Sequence, residues 1–105
     1  MLDIYNLVLE VIRELRPVLA ELRRKSPALH DQLERSLLSI SLGTAEGSRS
    51  RGRNRPMHYN RAAGSTIESI GALQTAIAFG YLESVDERTI DKMRHILAVL
   101  VKVSR

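Results

Sequence analysis

Apolar residues recur at three- and four-residue spacings in four stretches of this chain, each separated from the next by helix-breaking residues. That period gathers side chains on one face of a helix and scatters them over both faces of a strand. The first stretch, from about Asp3 to Lys25, carries Ile4, Val8, Val11, Ile12, Leu15, Val18, Leu19 and Leu22. Pro17 lies in its middle and removes one backbone donor, which predicts a kink rather than an end. Ser26-Pro27 reads as an N-cap followed by proline at the first helical position. The second stretch presents Leu29, Leu33, Leu37, Ile40 and Thr44, with Gly47 as its expected C-terminal stop.

Pro56 reopens a helix near Arg55, and the third stretch presents Tyr59, Ala63, Ile67, Ile70, Gln74 and Ile77 before Gly80-Tyr81-Leu82. Ser84-Val85-Asp86-Glu87 has the form of a capping box, a hydroxyl at the N-cap and a carboxylate three residues on. The fourth stretch carries Ile90, Met93, Ile96, Leu97, Leu100, Val101 and Val103. No sustained period-two alternation is present, so strands are not expected. Short breaks between long helices predict antiparallel neighbours. The expected fold is all-α, one domain over residues 1–105, an antiparallel up-down-up-down four-helix bundle. Its expected core is Leu33, Leu37, Ile40, Ile67, Ile70, Ile77, Ile96 and Leu100.

Composition agrees with helix packed on helix. Apolar residues are 44% of the chain but aromatic ones only 4%, so the core must be aliphatic. There is no cysteine, which excludes a disulfide framework and thiolate metal sites. Asp3 and Glu10 interrupt the first apolar residues, unlike a secretion signal, and the run from Ile96 to Val101 is far short of the ~20 residues of a membrane span. A soluble, cytoplasmic protein is the expectation. Leu2, Tyr5, Leu7 and Leu9 lie off the main stripe of the first helix and predict self-association.

Charge is concentrated in one place. Arg49, Arg51, Arg53 and Arg55 occupy alternate positions in an inter-helix loop expected at about residues 48–55, and Arg61 follows. No Asp or Glu occurs between Glu46 and Glu68, whereas the remainder of a chain of net charge +4 is nearly balanced. Such a patch attracts polyanions or an acidic protein face. A solvated loop, a nucleic-acid contact and a contact to another subunit all fit the pattern. Arginine's planar fork suits phosphate, the flanking Ser and Gly keep the loop adaptable, and Arg23-Arg24-Lys25 forms a second basic cluster. With only Tyr59 nearby, stacking on single-stranded bases is poorly supported.

Motifs for catalysis are lacking. Gly43-Thr44-Ala45-Glu46-Gly47-Ser48 has no lysine where a phosphate-binding loop requires one, and it follows a helix rather than a strand. No Glu is followed three residues later by His, the pair that di-iron bundles use. Glu87, Asp91 and His95 share a helical stripe that reads as a solvated charged face. The expectation is a non-enzyme with no metal and no cofactor. Glu46 falls in the last turn of the second helix, at the unfavourable end of the macrodipole, which predicts an ion pair to Arg61 or a loop arginine pinning the corner. Gly43 and Gly47, and Ala62-Ala63-Gly64-Ser65 on the third helix, predict a close approach of two backbones.

From Gln32 onward the chain resembles a known family. Gln32-Leu33, Ser39-Ile40, Ala45-Glu46-Gly47, Tyr59, Arg61-Ala62-Ala63-Gly64-Ser65, Glu68 and Gly80-Tyr81-Leu82 are similar to the bacterial four-helix bundle proteins first noticed as reading frames in intervening sequences of large-subunit ribosomal RNA genes. The likeness covers about half the chain. The family has Asn-Ile-Ala-Glu-Gly where this chain has Gly43-Thr44-Ala45-Glu46-Gly47, so any role of that Asn is absent. Glu46, Gly47, Gly64 and Ser65 are expected to form a structural corner, and the resemblance supplies no catalytic residue. It also implies kinship with the accessory variability protein of diversity-generating retroelements, a basic, barrel-shaped pentamer that binds a reverse transcriptase and nucleic acid. By that analogy the chain is a ring-forming, RNA-associated accessory protein, a homopentamer that binds structured RNA through Arg49, Arg51, Arg53, Arg55 and Arg61. The alternative is an adaptor whose arginines dock an acidic partner such as a reverse transcriptase or other polymerase.

Overall fold

The computed structural model describes residues 4–105, which form five helices. They are α1 (Ile4–Glu14), α2 (Arg16–Lys25), α3 (Pro27–Arg49), α4 (Asn54–Ala78) and α5 (Glu87–Val103). Leu2 and Asp3, used above for the first helix, lie outside the described residues. No strand occurs among the described residues. The count is five because the first stretch is divided at Leu15, two residues before Pro17. Hydrogen bonds from Leu15 N to Val11 O and from Leu19 N to Leu15 O, both 2.9 Å, carry the chain across the break. Pro17, which has no N–H to donate, lies in the first turn beyond the break.

Ser26 caps α3 as its sequence predicts, its hydroxyl accepting from Leu29 N at 3.3 Å. The other end differs from expectation. Gly47 does not stop α3, which runs on to Arg49 and is capped by Ser50, whose N–H and hydroxyl both donate to Glu46 O. Ser84 does not cap α5 either. Asp86 does, accepting from Arg88 N at 2.9 Å, and Glu87 opens the helix.

Polar pairs fix the directions of the helices. Gln32 meets Glu68, Ser36 meets Ser69, and Ser39 meets Ser65, so α3 and α4 run antiparallel. Lys92 reaches Glu10 at 2.7 Å and also Glu14, while Thr89 donates to Glu14 at 2.6 Å, so α1 and α5 are antiparallel too. In addition α2 packs on α3, α1 on α3 and α4 on α5. The molecule is elongated, 43 × 24 × 19 Å.

Leu33, Leu37, Ile40, Ile96 and Leu100 are buried as expected, with Val8, Val11, Leu15, Leu22, Leu73 and Met93. The expected face of α4 holds at Tyr59 and Ala63 and fails beyond them. Ile67 is 58% exposed and Ile77 40%, and Ile70 is only half-buried. Apart from Tyr59 and Leu73, the face that α4 turns inward is small or hydroxylated: Ala62, Ala63, Ser65, Thr66, Ser69, Ala72 and Ala76. Tyr5, Leu7 and Leu9 are half-buried rather than open to water, so the prediction of self-association from α1 loses its basis.

Small residues permit the close seam between α3 and α4. A Cβ added at Gly43 would stand 3.1 Å from Ala62 Cβ, and one at Gly47 would stand 2.5 Å from the Tyr59 ring. The close approach expected for these two glycines is present. Gly64 takes no part in it, because nothing lies within 4 Å of a Cβ added there. Buried hydroxyls in the seam are satisfied within it or by carbonyls one turn back: Ser69 to Ser36 at 2.8 Å, Thr66 to Ala62 O at 2.8 Å, and Thr44 to Ile40 O.

Two stability tests follow from this packing. Gly47→Ala drives a methyl into a packed ring and should cost about 1–3 kcal/mol. Gly64→Ala adds helix propensity in open space and should gain about 0.5–1 kcal/mol. Urea unfolding reads both, and equal effects of the same sign would contradict the seam.

The α1–α5 contact gives a pH test. Hydrogen bonds from Lys92 and then Thr89 hold the Glu14 carboxyl below its ordinary value of 4.5, against a smaller opposing effect of burial. Its contribution is therefore complete above that value and lost as the pH falls through the lower folded one. Lys92→Met should lower the melting temperature at neutral pH, and the gap to the parent should close in strongly acid solution. A gap independent of pH would contradict the contact.

Candidate nucleic-acid interface

The arginine-rich segment is the turn between α3 and α4, at one extremity of the antiparallel hairpin. Arg49 is the last residue of α3, Arg51 and Arg53 lie in the connection, and Arg55 is in the first turn of α4. The loop is thus shorter than the 48–55 expected, but Arg51 and Arg53 lie outside the helices as predicted. Gly52 makes the reversal with φ +61, a left-handed conformation that costs glycine little. Arg55 Nε donates to Ser50 O at 3.0 Å, which ties the start of α4 to the end of α3.

All four of these side chains are exposed. Among the described residues none has a carboxylate within ion-pair distance, whereas Lys25, Arg88, Lys92 and Arg94 all have one. Their charge is therefore uncompensated at the tip. The first turn of α4 contains no acidic residue, so the positive end of that helix dipole adds to the same field. Arg49 lies in the last turn of α3, where a cation suits the negative end of the dipole.

Arg61 stands apart from the other four. It is exposed two turns along α4, roughly 10 Å from the tip at 1.5 Å per residue. There it lines a surface groove of about 330 Å³ with Arg35, Leu38, Leu42, Glu46 and His58. Glu46 does not pair with Arg61 or with a tip arginine. Its carboxylate lies 3.4 Å from His58 Nδ1 instead, close enough for an ion pair though too poorly aligned for a hydrogen bond. At the corner Glu46 thus faces His58 across α3 and α4, and Arg61 stays without an acidic partner among the described residues. Of the other corner residues, Gly47 packs on Tyr59, Ser65 donates to Ser39 at 2.7 Å, and Gly64 is exposed on the outer surface.

Arg23-Arg24-Lys25 does not join the tip. It directly precedes α3, whose 23 residues span roughly 35 Å, so the two basic clusters sit at opposite ends of that helix. Lys25 there is already paired with Glu21 at 2.9 Å. Glu87, Asp91 and His95 are exposed, and Asp91 faces Arg94 at 3.6 Å. Among the described residues no three His, Asp or Glu side chains converge as metal ligands do. No described helix is long and apolar enough to cross a membrane. Sequence reasoning missed His58 and the hydroxyl seam. The signal for the seam was present, since Ala62, Thr66, Ser69, Ala72 and Ala76 recur at helical spacing like any buried stripe. No family model, curated protein or solved structure matches the chain.

Proposed function

We propose that this is a non-enzymatic, cytoplasmic RNA-binding protein that grips phosphate groups of structured RNA with Arg49, Arg51, Arg53 and Arg55. The observation that carries the reading is the cluster of four exposed arginines without acidic partners, on a turn braced by two long helices. A guanidinium fork matches a phosphate in two parallel hydrogen bonds, and releasing counterions from RNA supplies the free energy. Phosphate contacts position a protein without reading bases, so binding is loosely specific in sequence.

The architecture proposed for this role is an up-down-up-down four-helix bundle, with α1 and α2 the two halves of one kinked helix. The subunits self-associate into a ring, a homopentamer by the resemblance to the ribosomal RNA intervening-sequence and retroelement accessory proteins. Exposed Leu38, Leu42, Met57, Ile67, Ile77 and Val101 support self-association, a larger exposed apolar set than one subunit gains from leaving in water. A ring repeats the arginine tip, so weak contacts add by avidity. An adaptor docking an acidic polymerase subunit remains the competing outcome of the test.

Arg51→Glu with Arg53→Glu should abolish binding to a folded RNA and leave the helical circular dichroism intact. Arg23→Glu with Arg24→Glu reverses the same charge at the far end of α3 and should matter little. Affinity of the parent should fall with salt at a logarithmic slope of roughly −0.7 to −0.9 per phosphate neutralised. Equal losses in the two double variants would make the tip only part of a general charge, and the adaptor reading would stand in its place.

A further inference from the structure

Ile67 and Ile77, exposed on α4, share one side of that helix with half-buried Ile70. The three- and four-residue spacing that put them together on paper holds, but the face turns outward. It continues onto α5, where Ile90, Leu97 and Val101 recur at the same spacing and Val101 is 43% exposed. Ile70, Ile77, Ile90 and Val85 line one apolar groove of about 330 Å³, together with Glu83, Glu87 and Arg94. A second apolar face lies on the other side of α4, against α3. There Leu38 is 55% and Leu42 51% exposed, beside Arg35 and Arg61.

The two faces differ in charge as well as in shape. Among the described residues, Arg35 and Arg61 on the α3–α4 face are unpaired and outnumber Glu46, which faces His58, whereas Glu83 and Glu87 on the α4–α5 face are unpaired and outnumber Arg94, which faces Asp91. We infer that the α3–α4 face of one subunit docks on the α4–α5 face of a second copy of this chain. Leucines then meet isoleucines, and the unpaired arginines find carboxylates. A twofold contact of either face with itself would oppose the charge in excess there and leave the other face in water. The head-to-tail contact covers both, and it closes into a ring when the rotation between neighbours permits. The inference rests on the self-association proposed above and adds which surfaces meet. It places Arg61 at the subunit contact, leaving the four tip arginines free.

Complementation of blocked faces tests the contact, in the absence of RNA. One variant carries Leu38→Lys and Leu42→Lys, the other Ile67→Lys and Ile77→Lys, so that the two blocked faces also repel each other. By light scattering each alone should be a monomer of 11.8 kDa, and the equimolar mixture should show twice that mass, since one intact face of each remains. A mixture that stays monomeric overturns the inference, as does either variant keeping the parent's assembly or a parent that is itself monomeric. Milder changes give an independent measurement, because the chain has no cysteine of its own. Leu42→Cys and Ile67→Cys chains, mixed and treated with a short bismaleimide, should crosslink to one another in preference to themselves. Crosslinking only of like with like would contradict the head-to-tail contact. Neither result bears on the tip arginines, whose RNA affinity is measured separately on the Arg51 and Arg53 variant.

Discussion

Gly43 and Gly47 let α4 lie against α3 at a separation that a side chain at Gly47 would force to change and one at Gly43 would crowd. Ala62 and the Tyr59 ring occupy the space, and the hydroxyls of Ser36, Ser39, Ser65 and Ser69 bond across the seam. A seam of this kind gains little from apolar area per residue. It gains from dispersion contacts at close range and from hydrogen bonds that leave no buried hydroxyl unsatisfied. It also fixes register, because a shift by one residue would bring Tyr59 against a residue with a Cβ. The arginine turn is held by this register on two helices rather than on a slack loop.

The same seam decides where the large side chains of α4 go. A helix has one inner face, and here small residues occupy it. Ile67 and Ile77 are consequently displaced outward, onto a surface that a lone subunit leaves wet. The two features belong together: close packing within the hairpin and isoleucines exposed on its outer side.

Much of this was legible in the sequence. The inward faces of α3 and α5 are single stripes of Leu, Ile and Met on otherwise polar helices, so periodicity assigned Leu33, Leu37, Ile40, Ile96 and Leu100 correctly. Ser26-Pro27 and Pro17 acted through local backbone chemistry, which needs no tertiary context. On α4 two stripes of helical period compete, one of isoleucines and one of Ala, Ser and Thr, and ranking by side-chain size selects the wrong one. Ser84 and Asp86 are both competent caps, and the path of the chain from α4 decides between them. The pairing of Glu46 with His58 was hidden because Arg61 is equally near in sequence and carries the fuller charge. The four arginines were located by the absence of acids around them, but the sequence did not separate Arg61 from the rest.

Paired cations at the surface contribute little to stability and need no ligand. Four unpaired ones on a braced turn are a different matter, since their mutual repulsion is relieved when an anion arrives. The central claim is that RNA phosphate is that anion and that the tip is where it binds. Nuclear magnetic resonance of the arginine Nε–H groups, recorded while a short RNA hairpin is titrated into the protein, tests it directly. The account predicts shifts concentrated on Arg49, Arg51, Arg53 and Arg55, with Arg23 and Arg24 unmoved and all shifts reversed by added salt. Shifts of similar size at both ends of α3, or none at the tip, would contradict it.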